Sequence, residues 1–225
     1  MFRKGDIVYT NMGSKDTTYH TQRGWRPAVV IARSETDKYT VIPFTTKKKN
    51  ILPTHVLISD NYMPVIKGEN VILCENCTQL PSDRVSVYKP MYNIRLSNPD
   101  IWENILKGLS NQLSKKFDQF AEKVEPNYRR GSVVRIKGAS AIFLIVSNEK
   151  NNLYSGNLTI MPLRIKQESE ELLSAHFENQ ELCAADLSAC INIAKGEISQ
   201  YLGYVGKGFT NSIVKEFLQR IKEEG

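Results

Sequence analysis

An internal repeat constrains this fold more than any other feature of the 225-residue sequence. Three segments occur twice in the same order, and each pair shares its pattern of apolar and polar residues. They are RKGDIVY and RRGSVVR, at residues 3–9 and 129–135; AVVI and FLIV, at 28–31 and 143–146; and YTVIPF and LTIMPL, at 39–44 and 158–163. Because the spacing of the repeat is about half of the chain, we predict two copies of one small unit rather than a single large core.

Each copy is predicted to be rich in β-strands and to close with an amphipathic helix, which makes the chain a mainly β protein with α (α+β). Short runs rich in Val, Ile and Tyr alternate with turn residues, a pattern typical of strands. Residues 98–123 show helical periodicity, with Ser97 or Asn98 as N-cap and Pro99 in the first turn. The apolar face of this predicted helix consists of Ile101, Trp102, Ile105, Leu106, Leu109, Leu113 and Phe117.

Two more helices are predicted further along the chain. Thr210 is the expected N-cap of the closing helix. The apolar face of that helix consists of Ile213, Val214, Phe217, Leu218 and Ile221. Another helix is predicted over residues 168–177, where the earlier copy has residues 50–61.

The sequence Glu125-Pro126-Asn127 is the natural linker between the copies. We therefore predict one domain over residues 1–125, called the first copy, and another over residues 128–225, called the second copy.

Positive charge is concentrated in the first copy. Through Glu125 there are 18 Lys and Arg residues against 13 Asp and Glu, and beyond it there are 12 against 11. Such an imbalance favours a polyanionic partner for the first copy. The sequence has no run approaching the ~18 apolar residues of a membrane span. Its N-terminus also lacks the apolar region of a signal peptide, so we expect a cytoplasmic protein.

The four cysteines do not predict a metal site. Cys74 and Cys77 have the spacing of half a zinc site, but Cys183 and Cys190 are too far apart in sequence to supply the other half. The first two also lie in the apolar run VILCENCTQL, where cysteine usually serves as a small hydrophobic residue. We expect four reduced thiols, with no metal and no cofactor.

Two motifs of the first copy pair a strand end with groups suited to phosphate. In Gly24-Trp25-Arg26-Pro27, the arginine begins an apolar strand, and a guanidinium held by a strand is a planar, charged fork for phosphate. In the segment 45–49, TTKKK, the hydroxyls of Thr45 and Thr46 could donate to a phosphate while three lysines follow a polyanion. A surface arginine and a solvated charged loop are the alternative readings.

A third motif joins LPTHV, at residues 52–56, to VILCEN, at residues 71–76. His55 has the sequence context of a structural histidine. Glu75 is more informative, because a carboxylate inside an otherwise apolar strand is costly unless it has a partner. Arg26 is the expected partner of Glu75.

In this order, KGDIVY, GWRPAVVI, VIPFTT, LPTHV, VILCEN and a helix resemble the MazF/PemK (Kid) toxins of type II toxin–antitoxin systems, over about residues 3–115. The resemblance implies an SH3-like barrel related to the gyrase-poisoning CcdB toxin. It also implies that the two copies pack as a pseudo-dimer in place of the family's homodimer. Its implied activity is metal-independent cleavage of single-stranded RNA at short sequences, and its implied partner is an antitoxin protein.

The resemblance implies a catalytic site of Arg26, Thr45 and Glu75. Cleavage of this kind uses the neighbouring 2′-OH as nucleophile. Arg26 and Thr45 would stabilise the charge that grows on the phosphorane, and Glu75 would act as base. Exposed aromatic residues would stack on the bases. The residues predicted to bind RNA are Tyr19, Arg23, Trp25, Thr46, Lys47, Lys48 and Lys49.

The second copy lacks these groups. Arg164 takes the place of Thr45, Ser140-Ala141 the place of Arg26-Pro27, and Ser188-Ala189 the surroundings of Glu75. We therefore predict that the second copy is catalytically silent. Two other functions stay open: a non-catalytic member that binds RNA, DNA or a protein through the same surface, and a gyrase-directed toxin. The joint presence of Arg26 and Thr45 favours the enzyme, because a binding module does not need both.

Overall fold

The computed structural model describes residues 1–13, 24–47, 52–59, 66–88 and 91–223, and it contains two antiparallel sheets of seven strands each. The strands of the first sheet are β1 (Ile7–Asn11), β2 (Trp25–Arg33), β3 (Lys38–Thr45), β4 (His55–Ile58), β5 (Asn70–Leu73), β6 (Thr78–Pro81) and β7 (Val85–Val87). Their order is β4-β5-β3-β2-β1-β7, and β6 also pairs with β3.

The second sheet repeats this arrangement strand for strand. Its strands are β8 (Ser132–Ile136), β9 (Ile142–Ile145), β10 (Asn157–Ile165), β11 (Ser174–Phe177), β12 (Gln180–Ala184), β13 (Ile191–Ala194) and β14 (Ile198–Tyr204). Their order is β11-β12-β10-β9-β8-β14, and β13 also pairs with β10. The predicted α+β class with two curled antiparallel sheets is confirmed.

The pairing registers confirm the sequence repeat residue by residue. In the first sheet Val29 pairs with Ile7 and Ile42. In the second sheet Leu144, its counterpart, pairs with Val133 and Met161. Gly5 and Gly131 also correspond. Both have left-handed backbones, with φ of 85° and 91°. Gly5 donates its N–H to Val30 O of β2, and Gly131 donates its N–H to the equivalent Ile145 O of β9. Glycine adopts this conformation without strain, which explains its recurrence.

The helices are α1 (Ile94–Ser97), α2 (Pro99–Leu113), α3 (Glu149–Tyr154) and α4 (Lys207–Glu223). Asn98 is the N-cap of α2 and Pro99 its first residue, as predicted. The helix predicted over 98–123 is too long, because the α-helix ends at Leu113. Ser114 is extended and caps a 3-10 segment, Lys115–Lys123, which includes Phe117.

Two other helix predictions for the second copy are corrected. Thr210 is not an N-cap: α4 begins three residues earlier, and the buried Thr210 hydroxyl donates to the carbonyl of Gly206 at 3.0 Å. The helix predicted over 168–177 is wrong. Residues 174–177 form β11, which pairs with β12 through a turn in which Glu178 has a positive φ. Strand pairing overrides the local helical pattern there.

The largest hydrophobic cluster contains residues from both copies, so the two copies pack against each other as a pseudo-dimer. Ile105 and Leu109 of α2 and Ile213 and Phe217 of α4 are fully buried in it. Each sheet also encloses a smaller core of its own. The shared cluster means that much of the apolar burial that stabilises each copy depends on the other copy.

Each long helix ends against the opposite copy. Asn148, just before α3, donates its backbone N–H to Gln112 O at 2.9 Å and its side-chain N–H groups to Asn111 O and Gln112 O at 2.8 and 3.1 Å. Lys4 donates to Arg220 O, near the end of α4, at 2.5 Å. The last carbonyls of a helix have no partners within it, so these bonds satisfy groups that would otherwise be left unpaired.

Within the described ranges, no helix has the length and apolar character needed to cross a membrane.

Candidate active site

Arg26 lies at the start of β2, beside β1. Its backbone pairs with Thr10, whose hydroxyl donates to Arg26 O at 3.0 Å. Side chains alternate along a strand, so Arg26 is on the same face as the buried Ala28 and Val30. The side chain is partly buried, and the loss of solvation lowers the pKa of the Arg26 guanidinium. A partly dehydrated cation of this kind interacts more strongly with an anion than a fully hydrated one does.

Thr45 is the last residue of β3 and lies next to Arg26 in the register. Ala28 pairs with Pro43, so two residues further along Thr45 is opposite Arg26 and on the same face. The Thr45 hydroxyl accepts a hydrogen bond from Lys47 N at 3.2 Å. Because that bond uses a lone pair, the hydroxyl proton is left for a ligand. The two groups form a donor pair at one end of the central strands β2 and β3.

Glu75 does not lie inside a strand, and its partner is His55 rather than the predicted Arg26. It belongs to a 3-10 turn, Cys74–Asn76, directly after β5. Glu75 Oε1 is 2.7 Å from His55 Nε2, with side chains that are 17% and 8% exposed. The other carboxylate oxygen, Oε2, is buried and has no hydrogen-bond partner among the described residues. A buried carboxylate oxygen in this state can accept a proton or a hydrogen bond from a ligand.

The tautomer of His55 follows from its second nitrogen. Leu52 N donates to His55 Nδ1 at 3.2 Å, so Nδ1 carries a lone pair and the proton is on Nε2. His55 therefore donates to Glu75 and orients it. Sequence reasoning assigned His55 a structural role. The segments LPTHV and VILCEN are separated in sequence, and their spacing did not predict that His55 and Glu75 would be in contact.

The two pairs share one face of the sheet. Thr45 pairs with Val71, Leu73 follows two residues later on the same face, and Leu73 pairs with His55. Arg26, Thr45 and His55 thus point to the same side. Thr45 and His55 are two strands apart and are also displaced by two residues along the strands, so their backbones are roughly 12 Å apart at the usual strand spacings. This face of the sheet therefore has phosphate donors at one end and a histidine–carboxylate pair at the other.

The turn that carries Glu75 is held from three directions. Cys74 N donates to Thr54 O at 3.2 Å, and the buried Cys74 thiol contacts Ile105 O of α2 at 3.6 Å. Burial raises the pKa of this thiol, so it stays protonated and can donate. From the second copy, Asn192 Nδ2 donates to Glu75 O at 2.6 Å. The second copy therefore positions part of the candidate site.

Gly108 allows α2 to approach this turn, and Gly108→Ala should loosen it. An added Cβ would lie 2.7 Å from Cys74 Sγ and 3.2 Å from Thr54 O. We expect overpacking to destabilise the protein by about 1–3 kcal/mol, measured as a lower midpoint in urea unfolding.

The matched control is Gly208→Ala in α4, where nothing lies within 4 Å of an added Cβ. That substitution should be neutral or stabilising by up to about 1 kcal/mol. Equal midpoints for the two variants would contradict the close approach.

The predicted RNA-binding residues are only partly described. Trp25 is exposed and stacks on Tyr9 at 5.4 Å between ring centroids, with Tyr88 adjacent at 6.2 Å. Alternation along β2 places Trp25 on the opposite face from Arg26, so the two adjacent residues face different sides. Thr46 and Lys47 are exposed. The other four predicted residues, Tyr19, Arg23, Lys48 and Lys49, lie outside the described residues.

The registers also identify what stands at the equivalent positions of the second copy. Arg164 corresponds to Thr45, as predicted, and Ala141 alone corresponds to Arg26. Leu172 corresponds to His55, and Leu187 or Ser188 to Glu75. None of the four candidate groups is repeated. A cavity is retained at this place, lined by Arg164, Leu172, Leu187 and Ser188 of the second copy and by residues 32–36 of the first.

Arg164 is occupied within its own copy. It makes a two-pronged ion pair with Glu170, at 2.6 and 2.5 Å. The hydrogen bond from Arg164 lowers the pKa of Glu170 to about 2. This pair anchors the segment where a helix was predicted.

Among the described residues, no three His, Cys, Asp or Glu side chains are grouped so that they could hold a metal ion. All four cysteines are free and buried.

Comparisons with known proteins give one family and several solved structures. Residues 3–112 match the family described as PemK-like, MazF-like toxin of type II toxin–antitoxin system. An endoribonuclease in complex with its cognate antitoxin, from Mycobacterial species, is 17% identical over 49% of this chain and 92% of its own, with a TM-score of 0.37. MazF from Deinococcus radiodurans is 21% identical over 48% and 91%, with a TM-score of 0.35. No curated protein matches the chain.

Proposed function

Through residues 3–112 this chain belongs to the family of PemK-like, MazF-like toxins of type II toxin–antitoxin systems, and on that basis we propose that it is an endoribonuclease toxin. Its substrate is single-stranded RNA, cut at specific short sequences without a metal ion. The observation that carries the proposal is the shared face of Arg26, Thr45 and the His55–Glu75 pair. This arrangement supplies both charge stabilisation and proton transfer on one face of the sheet.

In the proposed reaction the 2′-OH attacks the adjacent phosphorus and the 5′-oxygen leaves. Glu75 Oε2, buried and without a described partner, accepts the proton of the 2′-OH. His55 donates its Nε2–H to Glu75 Oε1, which orients the carboxyl group and stabilises its charge. Arg26 and Thr45 donate to the phosphorane oxygens, whose negative charge grows in the transition state. The leaving 5′-oxygen takes its proton from water, so the products are a 2′,3′-cyclic phosphate, which water can open to a 3′-phosphate, and a 5′-hydroxyl.

We assign binding of the RNA strand to charges and aromatic rings near the candidate site. Lys47 is exposed next to Thr45, and Lys48 and Lys49 extend the basic run in sequence. Trp25 and Tyr9 offer a stacked aromatic surface on the face of the sheet opposite to Arg26, where a base beyond the cut site could stack. Tyr19, Arg23 and Thr46 stay predictions of RNA contact.

We also propose an antitoxin protein as partner and the cytoplasm as location. Both follow from membership of a toxin–antitoxin family. The chain offers a surface for such a partner on the first copy, where Tyr9, Trp25 and Val87 are exposed.

The test is to incubate the purified protein with a long single-stranded RNA, with and without EDTA. We expect equal cleavage in both and fragments that end in a cyclic or 3′-phosphate. The control is the same RNA with 2′-O-methyl groups, which has no nucleophile and should stay intact. Loss of cleavage in EDTA that a divalent ion restores would contradict the mechanism. RNA binding without any cleavage would favour the non-catalytic alternative.

A further inference from the structure

A basic cavity of about 440 Å³ lies in the first copy, away from the candidate active site. Four of its lining residues are cationic, and none of the described lining residues is acidic. The cations are Arg3, Lys4, Arg33 and Arg95. Leu96, which is 77% exposed, and Phe2 form an apolar part of the wall. Four cations around one concave surface create a positive potential that attracts anions.

The cavity is built by a close approach at Gly5. A Cβ on Gly5 would lie 2.5 Å from Arg95 Cβ and 2.6 Å from Asn93 Oδ1, so only glycine permits the contact. Ile94 N donates to Gly5 O at 2.7 Å, and Asn93 Nδ2 donates to Lys4 O at 2.8 Å. These bonds hold the N-terminal turn against α1. The basic side chains are thus brought together by a rigid backbone.

The carboxylates near these cations leave the cavity positive. Asp6 accepts from Arg3 N at 2.7 Å and from Asn93 Nδ2 at 2.7 Å, so it is engaged with the turn itself. Asp37 pairs with Arg33 at 2.9 Å, but both side chains are exposed and such a pair contributes little. An incoming anion can therefore compete for Arg33.

The equivalent place in the second copy has different side chains. Arg130, the counterpart of Lys4, is only 3% exposed and donates to Val146 O at 2.7 Å and to Asn211 at 3.0 Å. The counterparts of Arg33 and Ser34 are Asn148 and the buried Glu149. A carboxylate there disfavours an anion. The second copy therefore does not repeat this set of four cations, and the first copy is also the one with the larger positive charge.

We propose that this cavity binds backbone phosphates of the RNA beyond the cleavage site. The inference rests on the proposed function. Arg26 and Arg33 lie near the two ends of β2, seven residues or about 23 Å apart. An extended RNA strand that contacts both arginines must therefore span several nucleotides between them. Arginine forks bind phosphates in two-pronged geometry, and the apolar wall accepts the flanking sugars and bases. The site adds affinity for long RNA and takes no part in bond cleavage.

The test measures binding of a long 2′-O-methylated single-stranded RNA, which cannot be cut, to the full-length protein carrying Arg3→Gln and Arg95→Gln together. Each phosphate contact of single strands contributes about 0.7 to the slope of log affinity against log salt. We expect the slope to fall by about 1.4 and the affinity near physiological salt to drop roughly tenfold. The matched control removes two exposed charges of the second copy, Arg135→Gln and Lys215→Gln, and should leave both values unchanged.

Unchanged affinity and slope in the Arg3→Gln/Arg95→Gln protein, folded with a wild-type melting temperature, would overturn the proposal. So would weaker binding of a glutamate-rich peptide with RNA binding intact, because the cavity would then be a peptide site. Cleavage of a short RNA that reaches only the candidate active site should be unaffected. Since the binding assay uses an RNA that cannot be cut, it reports on the cavity even if the protein proves not to be a ribonuclease.

Discussion

Arg26→Ala should lower the rate of RNA cleavage at least a hundredfold, and Thr45→Ala should do the same. Removal of one preorganised donor to a developing negative charge typically costs 10²–10³ in rate. Both side chains lie at one end of the central strands β2 and β3, on one face, and neither belongs to the shared hydrophobic cluster. Cleavage is measured in single-turnover reactions, so that loss of binding is separated from loss of chemistry.

The control for this prediction is Arg135→Ala, an exposed arginine on a strand of the second copy, which should retain full activity. Melting temperatures of all three variants should stay near that of the unchanged protein. Full activity in a well-folded Arg26→Ala protein would contradict the mechanism, because Arg26 would then not stabilise the phosphorane. A fall of many degrees in its melting temperature would instead indicate a structural role for the arginine.

Removal of the second copy is expected to have an effect of similar size. We propose that residues 1–125 and 128–225 are two domains that depend on each other. A fragment of residues 1–125 lacks the hydrogen bonds that Asn148 donates to the end of α2 and that Asn192 donates to Glu75 O. It also exposes the apolar face of α2. We expect it to aggregate or self-associate and to cleave RNA at least a hundredfold more slowly than the full chain.

A soluble, monomeric fragment with full activity would show that the first domain does not depend on the second. The ribonuclease proposal would be unaffected. Because the fragment can fail simply by unfolding, Asn192→Ala in the full chain tests the same contact. Misplacement of Glu75 should lower cleavage by about tenfold to a hundredfold. The counterpart control is Gln79→Ala, which removes a 2.8 Å bond to Asp186 on the opposite, degenerate side and should leave cleavage unchanged.

The strands were predictable from the sequence because their central residues are short apolar runs that are buried in the protein. Pro43 and Pro162, matched by sequence alone, occupy equivalent register positions opposite Ala28 and Phe143. The ends of helices were harder to predict. The end of α2 at Leu113 depends on Asn148, a residue of the other copy, and a local pattern carries no information about such a partner.

For the candidate site, the sequence predicted Arg26 and Thr45 from their motifs, and it assigned the wrong partner to Glu75. An acidic residue in an apolar run predicts a buried partner, and that expectation was correct. The identity of the partner depends on how β4 and β5 pair, which brings His55 opposite Leu73 and within reach of the following turn. Pairing between segments separated by a loop is a tertiary property, and no periodicity in either segment encodes it.

The contact between Cys77 and Cys190 locates the axis that relates the two copies. The two cysteines hold the same position in their sheets, and their buried thiols meet between the copies. In a dimer of identical chains, only a residue beside the two-fold axis meets its own equivalent, and a substitution there alters both partners at once. In a single chain the two equivalent positions can change independently. The cysteine pair marks the pseudo-two-fold axis between the copies, and Ala141 and Leu172, in place of Arg26 and His55, show that the copies differ away from that axis.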